Sequence, residues 1–447
     1  MILPVYSTYF VTKIADRHLI YAPLHGLSAI LNEKQLTQLQ RACRGEVDNV
    51  DPVIVEMARR LAEPMRPPTI PQGRIASPLF LGIITTRDCD MKCRYCDFVP
   101  SAQSRVVMDL ETGRAGVDAY LRLLVDNGIN EGEIQFFGGE PFFQNTIIES
   151  LVAYARHGAS KEGVSVAFNV TTNGLMSGKR AMWVADNFDA VVLSFDGAAF
   201  QDLHRPLLNG HGSYALVHRT AKILSEGKTD LVIRVCVTRE SAARLPDLAR
   251  ELAETYIPGS VCFEPLTDSP LSAANNLFPP EPVEFARQFF LAEDILLEHG
   301  IAAASSGTDI DSLQAGFCPV GRDAILISPS GEINACYLME TEWMRADLDL
   351  KFGRVNAASR EFLFDLEKLE SIRDIPRHPP ILCGTCLCRY HCAGGCHVNH
   401  RQIRQDGEYD SVCIRTRLVT IGKILRRMGA SDLYLRWLDE LSLNPNH

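Results

Sequence analysis

Cys89-Asp90-Met91-Lys92-Cys93-Arg94-Tyr95-Cys96 stands directly after the apolar run Leu79–Thr85, and the reading of that junction decides the fold. A short apolar run that breaks into a polar, cysteine-bearing stretch reads as a buried strand followed by a loop. Further runs of the same kind recur at Ile134–Phe137, Val164–Val170, Ala190–Ser194, Leu231–Val237 and Val261–Glu264. Between them lie helical periods such as Val117, Tyr120, Leu121 and Leu124, in a helix predicted to open after Asp109 and close near Gly128. Alternating strands and helices imply a parallel sheet, and six such units predict an α/β fold, a partial (β/α)6 TIM-like barrel and not a closed eightfold one. Ligands of such a fold gather at the C-terminal ends of the strands, which is where the three cysteines fall.

Outward from the barrel, two flanking regions differ in character. On the N-terminal side, the apolar runs Tyr6–Ile14 and His18–Ala22 and the helical patterns Glu33–Arg44 and Val53–Leu61 read as strand, strand, helix, helix. The prolines of Pro64-Met-Arg-Pro67-Pro68-Thr-Ile-Pro71 lack amide donors and restrict their neighbours, so this stretch is a linker. On the C-terminal side, a helix over about 282–299 gives way to a cysteine-rich segment from Cys318 to Cys413, predicted to fold around metal. Helices over 412–428 and 431–441 close the chain. The expected division is an α+β unit over 1–70, a barrel over 71–300 and a third unit over 301–447.

Composition narrows the class. Hydrophobic residues at 46% and charged residues at 22% are those of a globular protein, and a net charge of -10 argues against non-specific nucleic-acid binding. No apolar run reaches the roughly 20 residues that span a bilayer, and no secretion signal opens the chain, so a cytoplasmic protein with neither nucleic-acid nor membrane partner is expected. Fourteen cysteines without an oxidising compartment point to metal ligation rather than to disulfides. Cys43, Cys236 and Cys262 are scattered and read as core or surface thiols, whereas the other eleven fall into the triplet and one C-terminal array.

Three thiolates cannot saturate a [4Fe–4S] cube, so one iron would stay open to a small-molecule ligand. Past the second strand comes Gly138-Gly139-Glu140-Pro141, where glycines permit close backbone approach and a carboxylate could hold an ammonium group. The third strand ends in Thr171-Thr172-Asn173-Gly174 and the fourth in Ser194-Phe195-Asp196-Gly197, small polar groups suited to a ribose or a carboxylate.

Together these residues resemble the radical S-adenosylmethionine (SAM) superfamily over about residues 78–265. The resemblance implies that Cys89, Cys93 and Cys96 ligate a cluster that cleaves SAM to a 5′-deoxyadenosyl radical. It places Tyr95 against adenine and Gly138, Gly139, Glu140 and Pro141 at the SAM amino group, with Asn173, Ser194 and Arg205 as further SAM contacts. The array Cys318-x12-Gly331-x4-Cys336, Cys383-x2-Cys386-x5-Cys392-x3-Cys396 and Cys413 resembles the SPASM extension of that superfamily. By this likeness Cys318, Cys336 and Cys396 bind one auxiliary cluster and Cys383, Cys386, Cys392 and Cys413 a second, for three [4Fe–4S] clusters in all.

Two departures bear on chemistry. Ala324 stands where some relatives have a fourth ligand to the first auxiliary cluster, leaving an open iron unless the extra thiol Cys388 completes it. Cys388 could instead give a hydrogen atom to a substrate radical, or be excluded from both clusters. Tyr337 replaces the aspartate that sulfatase-maturing relatives carry after the Cys336 position, which disfavours a formylglycine-forming role and reads as packing. The resemblance implies an enzyme that modifies a precursor peptide or protein, with a small preference for crosslinking, supplied with electrons by a flavodoxin or ferredoxin. The N-terminal unit would then be a reduced leader-peptide recognition element. A radical SAM enzyme acting on a metabolite or sugar, and a non-catalytic iron–sulfur redox sensor, are the alternatives.

Overall fold

The computed structural model describes residues 9–96, 106–399 and 408–443, the side chains of 144 and 145 aside; the first residues of the Tyr6–Ile14 run lie outside them. Three antiparallel strands open the chain: β1 (Phe10–Ile14), β2 (Arg17–Ala22) and β3 (Leu27–Leu31), in that spatial order. Helices Glu33–Ala42 and Pro52–Leu61 follow, the first entered through a capping box between Asn32 and Gln35. Ile20, Ala22, Leu27, Leu36, Leu39 and Ile54 form a small core between these strands and helices. Phe10, Ile14, Leu19 and Tyr21 instead join the main core of the molecule. The unit therefore has one face to itself and one face on the rest. Its third strand is absent from the sequence reading, because Leu27-Ser-Ala-Ile-Leu31 has neither clean alternation nor β-branched enrichment.

Six parallel strands build the barrel: β4 (Leu81–Ile84), β5 (Glu131–Phe137), β6 (Ser165–Thr172), β7 (Ala190–Ser194), β8 (Asp230–Val237) and β9 (Ser260–Pro265). All six are those expected, and the helix after β4 runs Leu110–Asp126 from an Asp109 cap. Its Val117, Tyr120, Leu121 and Leu124 are buried against the sheet. Side chains alternate along each strand. On β5, Ile134 and Phe136 are buried while Glu133 and Gln135 turn inward to the lumen, where Asn169 Nδ2 donates to Glu133 at 2.5 Å.

The sheet does not stop at the sixth strand. β10 (Ala302–Ala304) pairs parallel with β9, and β11 (Ile325–Ile327) pairs parallel with β4 on the other side. β12 (Glu332–Asn334), β13 (Lys351–Asn356) and β14 (Glu361–Phe364) continue it antiparallel, giving eleven strands in the order β10-β9-β8-β7-β6-β5-β4-β11-β12-β13-β14. Gly331, the glycine of the C-terminal array, makes the β11–β12 turn at φ +83°, a left-handed conformation that L side chains adopt only with strain.

The cysteine-rich segment thus grows from the first barrel strand. It also contains a helix, Leu366–Arg377, that the sequence hid behind Pro376 and a polar composition. Arg373 of that helix pairs with Asp323 in the interior and donates to Gly73 O, while Arg377 donates to Pro71 O, which pins the proline linker down. Helices Ser411–Arg427 and Ser431–Leu443 complete the chain. No helix among the described residues is long and apolar enough to cross a membrane.

Candidate iron–sulfur and SAM site

β4 delivers the chain into the 89–96 loop at the C-terminal end of the strands. Within it Cys89, Cys93 and Cys96 lie in electrostatic reach of one another, each half-buried, and burial pushes the thiols of Cys89 and Cys93 up. The loop is held from two sides. Lys92 N and Arg94 N donate to Pro206 O and His204 O. Gly139 N and Glu140 N donate to Thr86 O and Asp88 O. A Cβ on Gly139 would stand 2.2 Å from Asp88 O and 2.4 Å from Arg87 O, so the glycine is required by the loop it supports. Sequence reading anticipated close approach there, but to a ligand.

Glu140 differs from its expected role. Its carboxylate is 1% exposed and accepts from Thr172 Oγ1 at 2.8 Å, Asn173 N at 2.7 Å and Phe142 N at 3.1 Å. Burial raises it to about 8, against those donors. The group therefore latches the β5 loop to the β6 loop instead of facing outward for an ammonium ion. Asn173, held by that latch, directs Nδ2 to Asp90 Oδ1 at 2.8 Å, with Cys89 Sγ at 3.5 Å.

A second buried hub, not among the expected site residues, is Asp196 at the end of β7. It accepts from Tyr95 Oη at 2.8 Å, Arg205 Nε at 3.0 Å and Nη2 at 3.2 Å, and Cys236 N at 2.9 Å. Burial would raise this carboxyl, but Arg205 and His204 hold it well below the usual carboxylate range. The Arg205 guanidinium lies over the Tyr95 ring, 5.3 Å from its centroid. Tyr95, Asp196 and Arg205 thus form one rigid group behind the triplet, whereas Ser194 stands at the end of β7 half-buried. Cys236 and Cys262, expected as scattered thiols, occupy inward positions on β8 and β9. Only the pairing of strands brings Asp196 and Cys236 together; the Ser194–Gly197 stretch marked the place of Asp196 but not this role.

The C-terminal thiols separate into two groups. Cys318, Cys336 and Cys396 are mutual electrostatic neighbours, and burial is the main cause of their raised thiols at Cys318 and Cys336. Cys392 neighbours Cys383, Cys386 and Cys413, and all four line one cavity with Tyr409 and Arg417. Cys388 lines that same cavity at 2% exposure, and a hydrogen bond from it lowers the Cys386 thiol. This placement supports neither completion of the first group nor contact with a substrate radical. The donor sets fit iron–sulfur clusters. They are all thiols, they form no disulfides, and the buried indole of Trp343 turns its N–H toward Cys336, as a donor to a thiolate ligand would. Among the described residues, no His, Cys, Asp or Glu group is set to hold a single metal ion. Arg87, two residues before Cys89, donates to Tyr337 O at 2.7 Å and so ties the triplet loop to the first group. Tyr337 itself donates to Gln135 Oε1 at 2.7 Å and packs on Phe137, as a packing residue would.

A partial parallel barrel with a three-cysteine loop at its mouth, extended by a strand-linked cysteine array, defines an iron–sulfur protein of the radical SAM fold. Residues 83–252 match the family model for the radical SAM superfamily. That family implies SAM and a [4Fe–4S] cluster. Over 343 residues the chain is 26% identical to a serine-type anaerobic sulfatase-maturating enzyme of Klebsiella aerogenes, covering 70% of this chain and 78% of that one. It is 23% identical over 270 residues, 60% of its own length, to the antilisterial bacteriocin subtilosin biosynthesis protein AlbA of Bacillus subtilis (strain 168), and spans 56% of that protein. Among solved structures, native anSMEcpe with bound AdoMet superposes with a TM-score of 0.61 at 18% identity, covering 81% of this chain and all of that one. Streptococcus suis SuiB bound to precursor peptide SuiA gives 0.53 at 16% identity, covering 91% and 98%.

Proposed function

We propose that the chain is a radical SAM/SPASM maturase that modifies a ribosomally made precursor peptide, with a crosslink as the product. The observation that carries this reading is the pair of thiol groups, Cys318/Cys336/Cys396 and Cys383/Cys386/Cys392/Cys413, the first tied to the triplet loop by Arg87 donating to Tyr337 O. Bound SAM and a [4Fe–4S] cluster would supply a 5′-deoxyadenosyl radical that takes a hydrogen atom from the substrate. The chain's own part is positional. Cys89, Cys93 and Cys96 hold the cluster, Tyr95 faces adenine, and the backbone of Gly138 to Pro141 receives the SAM amino group. Asn173, Ser194 and Arg205 hold the rest of SAM. The auxiliary groups would bind two further clusters able to accept the electron that crosslinking releases, with a cytoplasmic flavodoxin or ferredoxin as donor.

The peptide assignment draws on the likeness to AlbA and to SuiB with its precursor peptide. It also draws on the N-terminal sheet, in which β3 is an edge with no further strand beside it among the described residues. A leader segment would add to that edge by main-chain hydrogen bonds. Anaerobically reconstituted protein is expected to carry about twelve irons, and to give 5′-deoxyadenosine with dithionite and SAM. Co-production with a short peptide encoded beside the gene should remove two hydrogens from that peptide, read by mass spectrometry. Four irons or zinc with no SAM cleavage would favour the redox sensor. Cleavage that a sugar or cofactor precursor stimulates, and no peptide does, would favour the metabolite enzyme.

A further inference from the structure

One buried cation remains unused by this account. A cavity of about 230 Å³ lies between the ends of β8 and β9, the loop after β10 and helix Ser411–Arg427. Arg234, Glu264 and Arg415 supply its charged groups, with Ser306 among its hydroxyls, and Cys392 and Cys396, one from each auxiliary group, form part of its wall. Glu264 is the one acid on that wall, and it is engaged: it accepts from Ser306 Oγ at 2.5 Å and Cys262 Sγ at 3.1 Å, and faces Arg234 Nη2 at 3.8 Å. Arg415 is different. It is only 3% exposed, yet its one hydrogen bond among the described residues runs from Nη1 to Pro280 O at 3.5 Å. Asp410 and Asp268 are its charged neighbours. With only one long hydrogen bond, its remaining donors are open to a partner that enters the cavity.

We propose that Arg415 anchors a carboxylate of the substrate in this cavity, supplied either by an acidic side chain or by the chain's C-terminus. The planar fork of a guanidinium suits two parallel hydrogen bonds to such a group, which an ammonium would not reproduce. A carboxylate held there sets the neighbouring residues of the peptide across the barrel mouth, between the triplet and the walls made by Cys392 and Cys396. The inference rests on the peptide-modifying reading for the source of the carboxylate.

Calorimetric titration of the reconstituted enzyme with three short probes tests it. Acetyl-Gly-Glu-Gly-amide carries a side-chain carboxylate, acetyl-Gly-Gly-Gly a terminal one, and acetyl-Gly-Gln-Gly-amide neither. One carboxylate probe is expected to bind at least about tenfold tighter than the neutral probe, as a charge-assisted hydrogen-bond pair allows. Which of the two does so identifies the source. Arg415→Gln should erase the preference and Arg415→Lys retain part of it, with iron content showing that each variant is intact. Equal binding of all three probes to the unaltered enzyme overturns the proposal without any variant, as does a preference that survives Arg415→Gln. SAM cleavage without substrate is read separately: if it persists while probe selectivity is absent, only the anchor fails, and if it is absent while selectivity persists, only the enzymatic reading fails.

Discussion

The mouth of the barrel and the C-terminal array both collect thiols, but they are held together by different physics. Cys89, Cys93 and Cys96 sit in one eight-residue loop braced by hydrogen bonds: Gly139 and Glu140 from below, His204 and Pro206 from the side, and the Tyr95–Asp196–Arg205 group behind. The C-terminal thiols come from positions up to 95 residues apart, as 413 minus 318 shows. Around Cys383–Cys396 regular structure is reduced to one turn of 3-10 helix and loops. In the first region the polypeptide makes the site. In the second, the metal is expected to act as the crosslink that the backbone does not provide. Removing metal should therefore be tolerated in one place and not in the other.

The strongest contrast comes from deleting ligands. Replacing Cys89, Cys93 and Cys96 together with alanine should abolish 5′-deoxyadenosine formation, leave about eight irons, and preserve the folded barrel by circular dichroism. Replacing Cys318, Cys336 and Cys396 should release iron and also open residues 318–413 to proteolysis, because that segment loses the bonds that hold it. Equal protease resistance in the two variants would show that the array folds without metal and would remove the distinction.

A lesser effect is expected from the hub behind the triplet. Asp196→Asn leaves Arg205 as a buried charge without its counter-ion, a change that costs about 3–5 kcal/mol in comparable settings. Its geometric consequence is the loss of the lock between Tyr95 and Arg205, and groups that orient a site in this way typically contribute about 10–100-fold to activity. SAM cleavage should fall by that factor at full iron content. Loss of iron from the triplet, or unchanged cleavage, would each show that the hub does not act by orienting SAM contacts.

The two regions also differ in how far the sequence disclosed them. Strand positions were legible because each is a short apolar run that gives way to polar or turn-forming residues, and Ala190–Ser194 agrees to the residue. The triplet's place at the strand ends followed from the same pattern. What stayed hidden depends on direction or on distant pairing. A glutamate in Gly-Gly-Glu-Pro is visible, yet that its carboxylate turns inward to Thr172 and Asn173 is decided by β5 and β6 lying side by side. Asp196 needs β8 to bring Cys236 to it, and Arg415 needs helix Ser411–Arg427 folded over β9. Leu27–Leu31 and Leu366–Arg377 were obscured by weak alternation and by an internal proline.

Glu140 supplies the finest discrimination, because its effect lies in pH and not in activity. Its folded carboxyl titrates near 8, above the ordinary value of 4.5 that an unfolded chain would show. Below pH 4.5 the group is protonated in both states and its contribution to stability is fully present. As pH rises from there to 8 the unfolded chain releases a proton that the folded protein keeps, so stability declines, by up to about 1.4 kcal/mol per pH unit. Above 8 both states are ionised and the decline ends. Glu140→Gln cannot titrate, so its unfolding curve against pH should lack this component. The informative quantity is the difference between the two proteins' denaturant midpoints, measured anaerobically from pH 5 to 9, since thiols and histidines contribute equally to both. A difference that does not vary with pH would mean that the carboxylate is ionised in the interior. The braced mouth would then rest on a buried charge held by its three donors, not on the neutral latch that full burial favours.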